Sequence, residues 1–219
     1  MTSIVQYMTT HGVPELSLVF FLVIPIAATV ITFARQILGV KSFGLYIPLI
    51  TTLAFLSIGI KYGVFLFVIT VVIGSILRFF LRKTHLLYLP RTALTLITIT
   101  ICVYILFAFA IYFGETNFIQ ISVFPVLLLI ILSEKFIATQ IRLGNKKATI
   151  ITIETLILSI VSYYLITWPF LQNIVLAYPL ITIVLLIVIN VWFGKWEGLR
   201  LTEYFRFDKV IKRTKLPKK

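Results

Sequence analysis

Two carboxylates, Glu134 and Glu154, stand within or at the end of long apolar stretches. Three arginines, Arg78, Arg91 and Arg142, lie near the ends of such stretches. A carboxylate near the centre of a bilayer costs about 2.5–3.5 kcal/mol on insertion scales, so it must face protein and find a donor. Either carboxylate could therefore serve as a structural ion pair with Arg78, Arg91 or Arg142, or as a proton or substrate relay. Arg78, about one turn inside its apolar run and four residues before Arg82, could snorkel to the headgroups or line a cavity. Prolines add a second kind of interruption, since a proline inside a span frees a backbone carbonyl that a neighbour or ligand can use. Pro25, Pro48, Pro125 and Pro179 all fall in apolar runs. Pro48 and Pro125, each preceded by an aromatic within two residues, are the candidate binding positions.

Other chemistry is excluded by residue supply. The one cysteine, Cys102, cannot form an intramolecular disulfide. His11 and His85 are far apart and have no cysteine at ligand spacing, so no metal site is expected. The chain has no Walker-type phosphate loop and no nucleophile elbow. The expectation is a protein that is not an enzyme, holds no cofactor and binds no nucleic acid.

The elements that must position these groups follow from composition. Of 219 residues, 60% are hydrophobic and 12% are charged, with a mean hydropathy of +1.10. A soluble domain carries about 45–50% apolar and about 25% charged residues, so a water-soluble enzyme and a disordered chain are both excluded. Seven charge-poor runs are long enough for membrane spans, at about 16–34, 43–60, 62–80, 93–113, 118–135, 148–167 and 171–193. Backbone groups in lipid must be satisfied internally, so these runs are predicted helices. The second and third are separated by Ile60–Lys61–Tyr62 and predict a tight hairpin. The first run has no Lys or Arg before it and reads as a span, not a cleaved leader.

Alternating the ends of seven spans places 19 of the 20 Lys and Arg on one side and Lys61 alone on the other. The positive-inside rule then puts the N-terminus outside and the C-terminus inside. The predicted organisation is a short extracytoplasmic tail (1–15), an all-α seven-helix membrane domain (16–193) and a basic cytoplasmic tail (194–219). The matched prolines near the starts of the second and fifth spans allow a 3+3 inverted repeat, the second to fourth spans against the fifth to seventh. In the tail, Glu197 with Arg200 and Glu203 with Arg206 are i,i+3 pairs of opposite charge. Trp196 and Tyr204 are interleaved with them. This reads either as an interfacial continuation of the last helix or as a docking element for a soluble partner, using Trp196, Glu197, Arg200, Glu203 and Arg206. Six basic residues from Lys209 to Lys219 read as an anchor for anionic lipid.

Four strings carry a resemblance. They are Phe43-Gly44-x-Tyr46-x-Pro48-Leu49, Leu89-Pro90-Arg91, Phe124-Pro125-Val126 followed by Glu134, and Gly194-Lys195-x-x-Gly198-x-Arg200-Leu201-x-Glu203-x-x-Arg206-Phe207. With these the chain resembles the bacterial seven-helix membrane domain usually fused to an inactive transglutaminase-like domain. Three of the strings also resemble, more loosely, the small polytopic subunit of poly-gamma-glutamate synthase. The resemblance implies residence in the bacterial cytoplasmic (inner) membrane and a partnership with a RimK-like ATP-grasp ligase, which joins glutamate-type amino acids through amide bonds. Only 15 residues precede the first span, so any role of the transglutaminase-like domain is expected to be absent or supplied by a separate chain. The implied function is a non-enzymatic membrane subunit in synthesis or export of an amide-linked polymer, with cationic Arg78, Arg91 and Arg200 suited to a polyanion. A stand-alone transporter of a small anion and a structural or receptor-like scaffold are the alternatives.

Overall fold

A computed structural model describes residues 3–12, 14–81, 87–112 and 123–196. All regular elements among them are helical: α1 Ser3–Thr10, α2 Glu15–Phe33, α3 Tyr46–Ile58, α4 Ile60–Leu81, α5 Tyr88–Tyr112, α6 Val123–Leu143, α7 Asn145–Ile166, α8 Pro169–Ala177 and α9 Pro179–Gly194. A five-residue π-helical segment, Ala34–Leu38, extends α2. Four helical stretches are long and apolar enough to cross a membrane, or five if the bent pair α8–α9 is one span. The protein is an all-α polytopic membrane protein. Its outward surface carries Phe21, Tyr104 and Ile181 largely exposed, side chains that suit lipid and not water.

The helices fall into two compact units. One comprises 1–45 with 164–219. There α2 packs on α8 and α9, and Ile26, Val175 and Leu186 form a small core flanked by Leu22, Leu165 and Leu171. The other comprises 46–163. There α6 packs against α3, α4 and α5, and Phe55, Leu66, Ile99 and Leu129 are almost wholly buried.

Several expected boundaries move. The break between the second and third runs is Gly59 alone (φ +88°), not 60–62. Glycine adopts this left-handed conformation without a Cβ penalty, and Lys61 falls in the first turn of α4. The stretch after Lys135, read as loop because charge ended the apolar run, remains helical through Leu143. Phe136, Ile137 and Gln140 stay buried on one face while Lys135 and Arg142 point outward, so charge ends the run and not the helix. The chain turns instead at Gly144 (φ +83°). The second span is shorter than expected: 43–45 form a turn, and α3 has only 13 residues. The seventh run is not one straight helix, because α8 and α9 are bent by 105° at Tyr178–Pro179. The segment expected as a plain N-terminal tail contains α1.

Candidate functional site

Pro48 is the third residue of α3 and Pro125 the third described residue of α6, and both are buried. A proline in the first turn lacks only an N–H that has no intrahelical acceptor. At Pro48, therefore, α3 is not interrupted. The Pro48 carbonyl is nevertheless a hub. Thr52 Oγ1 donates to it at 2.7 Å and Ser159 Oγ of α7 at 3.1 Å. Thr52 Oγ1 also lies 3.3 Å from the Ser159 carbonyl, and Ser159 Oγ lies 2.9 Å from the Thr155 carbonyl. Each hydroxyl has one proton, so each shares it between its own helix and its neighbour. The small Thr and Ser side chains let α3 and α7 approach closely enough to exchange these bonds, as small polar residues do between helices in lipid.

A second polar contact joins α4 and α6, where Gln140 Nε2 donates to Ser75 Oγ at 3.0 Å. Gln140 Oε1 has no partner although buried, and neither does Ser162 Oγ. Such groups carry a desolvation cost of about 1–3 kcal/mol each. Between α5 and α6 lies an open groove of about 480 Å³, lined by Val103, Tyr104, Phe107, Val126 and Ile130 among others. Its lining is almost wholly apolar, which is the surface an acyl chain fills.

The charged candidates are dispersed along α4–α7. Glu134 lies mid-α6 and Glu154 mid-α7, both half-buried. Among the described residues Glu134 makes no ion pair. Arg91 is half-buried in the first turn of α5, where its carbonyl accepts from Thr95 Oγ1 at 2.9 Å. The backbone of Arg78 lies in α4, and its side chain is outside the described residues. In the tail, α9 ends at Gly194, so no helix continues through Lys195 and Trp196. Trp196 stacks edge-on against Trp192 at 5.5 Å. Glu197, Arg200, Glu203 and Arg206 lie outside the described residues. Among the described residues no group of three His, Cys, Asp or Glu could hold a metal.

Sequence reasoning missed the polar contacts of the other unit. Asn190 of α9 donates to Thr29 Oγ1 of α2 and to the Leu186 carbonyl. Thr29 Oγ1 in turn donates to the carbonyl of Pro25. Gln36 Nε2, in the π-helical segment, donates to the Phe193 carbonyl at 3.3 Å, and the Phe33 and Phe193 rings pack at 5.7 Å. The signal was available: Asn190 is the single amide side chain in 174–193, and an amide in a span seeks a partner on another helix.

The family described as seven transmembrane helices usually fused to an inactive transglutaminase matches residues 13–211. No curated protein and no solved structure matches the chain. The family match takes in every long helix described above, together with the Pro48 hub and the α6–α7 turn. The chain belongs to this family of seven-transmembrane-helix proteins usually fused to an inactive transglutaminase.

Proposed function

We propose that the chain is a non-enzymatic subunit of the bacterial cytoplasmic membrane that works with a cytoplasmic ATP-grasp amino-acid ligase in making or exporting an amide-linked polymer. One observation carries this reading: membership, over residues 13–211, of a family whose usual fused neighbour is an inactive transglutaminase. A membrane domain that travels with a domain stripped of its own chemistry is a component of an assembly. The contacts within the membrane domain fit that role, since cross-helix hydrogen bonds among the described residues run from polar side chains to carbonyls or hydroxyls of a neighbouring helix and hold the helices together. Docking falls to Trp196, Glu197, Arg200, Glu203 and Arg206, because aromatic and arginine residues anchor interfaces and opposed charges set register. Co-purification tests it. Charge reversal at Glu197 and Glu203 abolishes recovery of the ligase and leaves membrane insertion intact, whereas truncation after Phe207 leaves the complex in place. Recovery of the ligase after both reversals sinks the reading.

A second reading is supported by the 105° bend between α8 and α9. Discontinuous spans build the substrate sites of many secondary transporters. Uptake of a small anion by the purified chain alone in proteoliposomes, with no ligase present, is the outcome that favours it.

A further inference from the structure

The α6–α7 turn is a compact basic surface that neither the proposed docking nor the transport reading uses. A single left-handed residue, Gly144, joins the two helices, with hydrogen bonds from its N–H to the Gln140 carbonyl and from the Ala148 N–H to its own carbonyl. Arg142, Lys146 and Lys147 are thereby gathered within six residues, all exposed. Among the described residues none of the three has an ion-pair partner. The nearest acidic residues along the chain, Glu134 and Glu154, are eight residues before Arg142 and seven after Lys147, about two helical turns away in each direction. The same turn exposes three aliphatic side chains, Ile141, Leu143 and Ile150, each close to half exposed.

That combination separates two surroundings. A charge cluster facing only water has no use for exposed isoleucine and leucine, and a surface facing only hydrocarbon excludes three cations. Both are accommodated where phosphates lie just above the first methylenes of the acyl chains. The location agrees, because α7 from Asn145 to Ile166 is itself long and apolar enough to cross the membrane, so its first turn lies at the end of a span. Arginine adds a planar fork that can bind a phosphate through two hydrogen bonds. We propose that Arg142, Lys146 and Lys147 form a binding surface for the headgroup phosphate of an anionic phospholipid, with Ile141, Leu143 and Ile150 seated against the adjoining acyl chains.

A photo-crosslinking amino acid at Leu143 of the full chain reads the local lipid directly. In vesicles of equal parts phosphatidylcholine and phosphatidylglycerol, crosslinks to phosphatidylglycerol are expected to exceed those to phosphatidylcholine by at least about five-fold, the effect of one basic residue near an anionic surface. The R142Q/K146Q/K147Q variant returns the ratio to that of the bulk mixture. The K146R/K147R variant, which keeps the charge and guards against simple misfolding, retains the enrichment. Crosslinks in bulk proportion for the unsubstituted turn overturn the proposal. So does enrichment that survives the triple glutamine change, or capture of a soluble protein in place of lipid in native membranes.

Discussion

Asn190 Nδ2 donates a 2.7 Å hydrogen bond to Thr29 Oγ1, and the same Thr29 hydroxyl donates at 2.8 Å to the carbonyl of Pro25. Pro25 lies inside α2, where its ring removes one helical hydrogen bond and weakens the helix locally. The relay braces α2 at that weakened point against α9. Thr29 is buried, so its acceptor lone pairs have few other donors to meet.

Asn190→Leu keeps the volume and removes the donor. It is expected to destabilise the folded chain by about 0.6–2 kcal/mol, the range for interhelical hydrogen bonds in membranes. Thr29→Val should cost a similar amount, whereas Thr29→Ser keeps the hydroxyl and should recover most of it. Unfolding in mixed micelles against denaturing detergent measures all three. Equal losses for the valine and serine variants would show that packing, not the hydroxyl, matters.

Two buried glycines test how tightly the helices meet. A Cβ at Gly63 would lie 2.5 Å from Phe55 Cδ1 and 3.4 Å from Phe55 Cα. Phe55 is wholly buried, so its ring has no free space to retreat into, and Gly63→Ala should cost about 1–3 kcal/mol as overpacking. A Cβ at Gly74 would meet the terminal Cδ1 of Ile137 at 2.7 Å, an atom that one rotation moves away. Gly74→Ala should cost clearly less. Phe55→Leu placed on Gly63→Ala should restore part of the loss, and melting temperatures of the three variants against the unsubstituted chain give the comparison.

Gly59 and Gly144 are demanding for a different reason. Neither has any atom within 4 Å of where a Cβ would stand, yet both hold φ above +80°. The cost of replacement is thus conformational, about 1–2 kcal/mol for alanine. Asparagine, which tolerates the left-handed region, should cost less than alanine, and valine more. If valine and asparagine behave alike in the same unfolding assay, the left-handed turn is not what these positions supply.

The 19-to-1 distribution of Lys and Arg predicts opposite sides for the two ends of the chain. With Cys102 replaced by serine, single cysteines at positions 5 and 215 should differ towards an impermeant thiol reagent applied to intact cells. Position 5 reacts and position 215 reacts only after lysis. Reaction at 215 in intact cells refutes the orientation.

The helices were legible because hydrocarbon demands long apolar runs, and each run contains at least one, the seventh holding both α8 and α9. Their ends were less so. Hydropathy falls at Lys135, but the backbone of Phe136–Leu143 still satisfies itself within a helix, and Phe136 and Ile137 still have a core to enter. Prolines were visible, but their effect depends on where each falls in its helix. Pro48 occupies a first turn and costs little, whereas Tyr178–Pro179 marks the sharp bend. Charged side chains drew attention at the sequence level because they break apolar runs. The cross-helix bonds given above come from Gln36, Thr52, Ser159, Gln140, Asn190 and Thr29, whose hydroxyls and amides barely disturb hydropathy. Their partners come from distant parts of the chain, so no local pattern pairs Pro48 with Ser159 or Thr29 with Asn190.

The brevity of α3 bears on the bilayer itself. Thirteen helical residues reach about 20 Å, against a hydrocarbon thickness of about 30 Å. Beside the 22-residue α4, a span of that length would leave about 10 Å of hydrocarbon unmatched. Exposed Lys61, two residues past the Gly59 turn, can snorkel towards the headgroups and draw them inward. Were α3 to span, thinning of the surrounding leaflet would be one way to match it, and a thinned annulus would lower the barrier that any polar group meets when it crosses the membrane there.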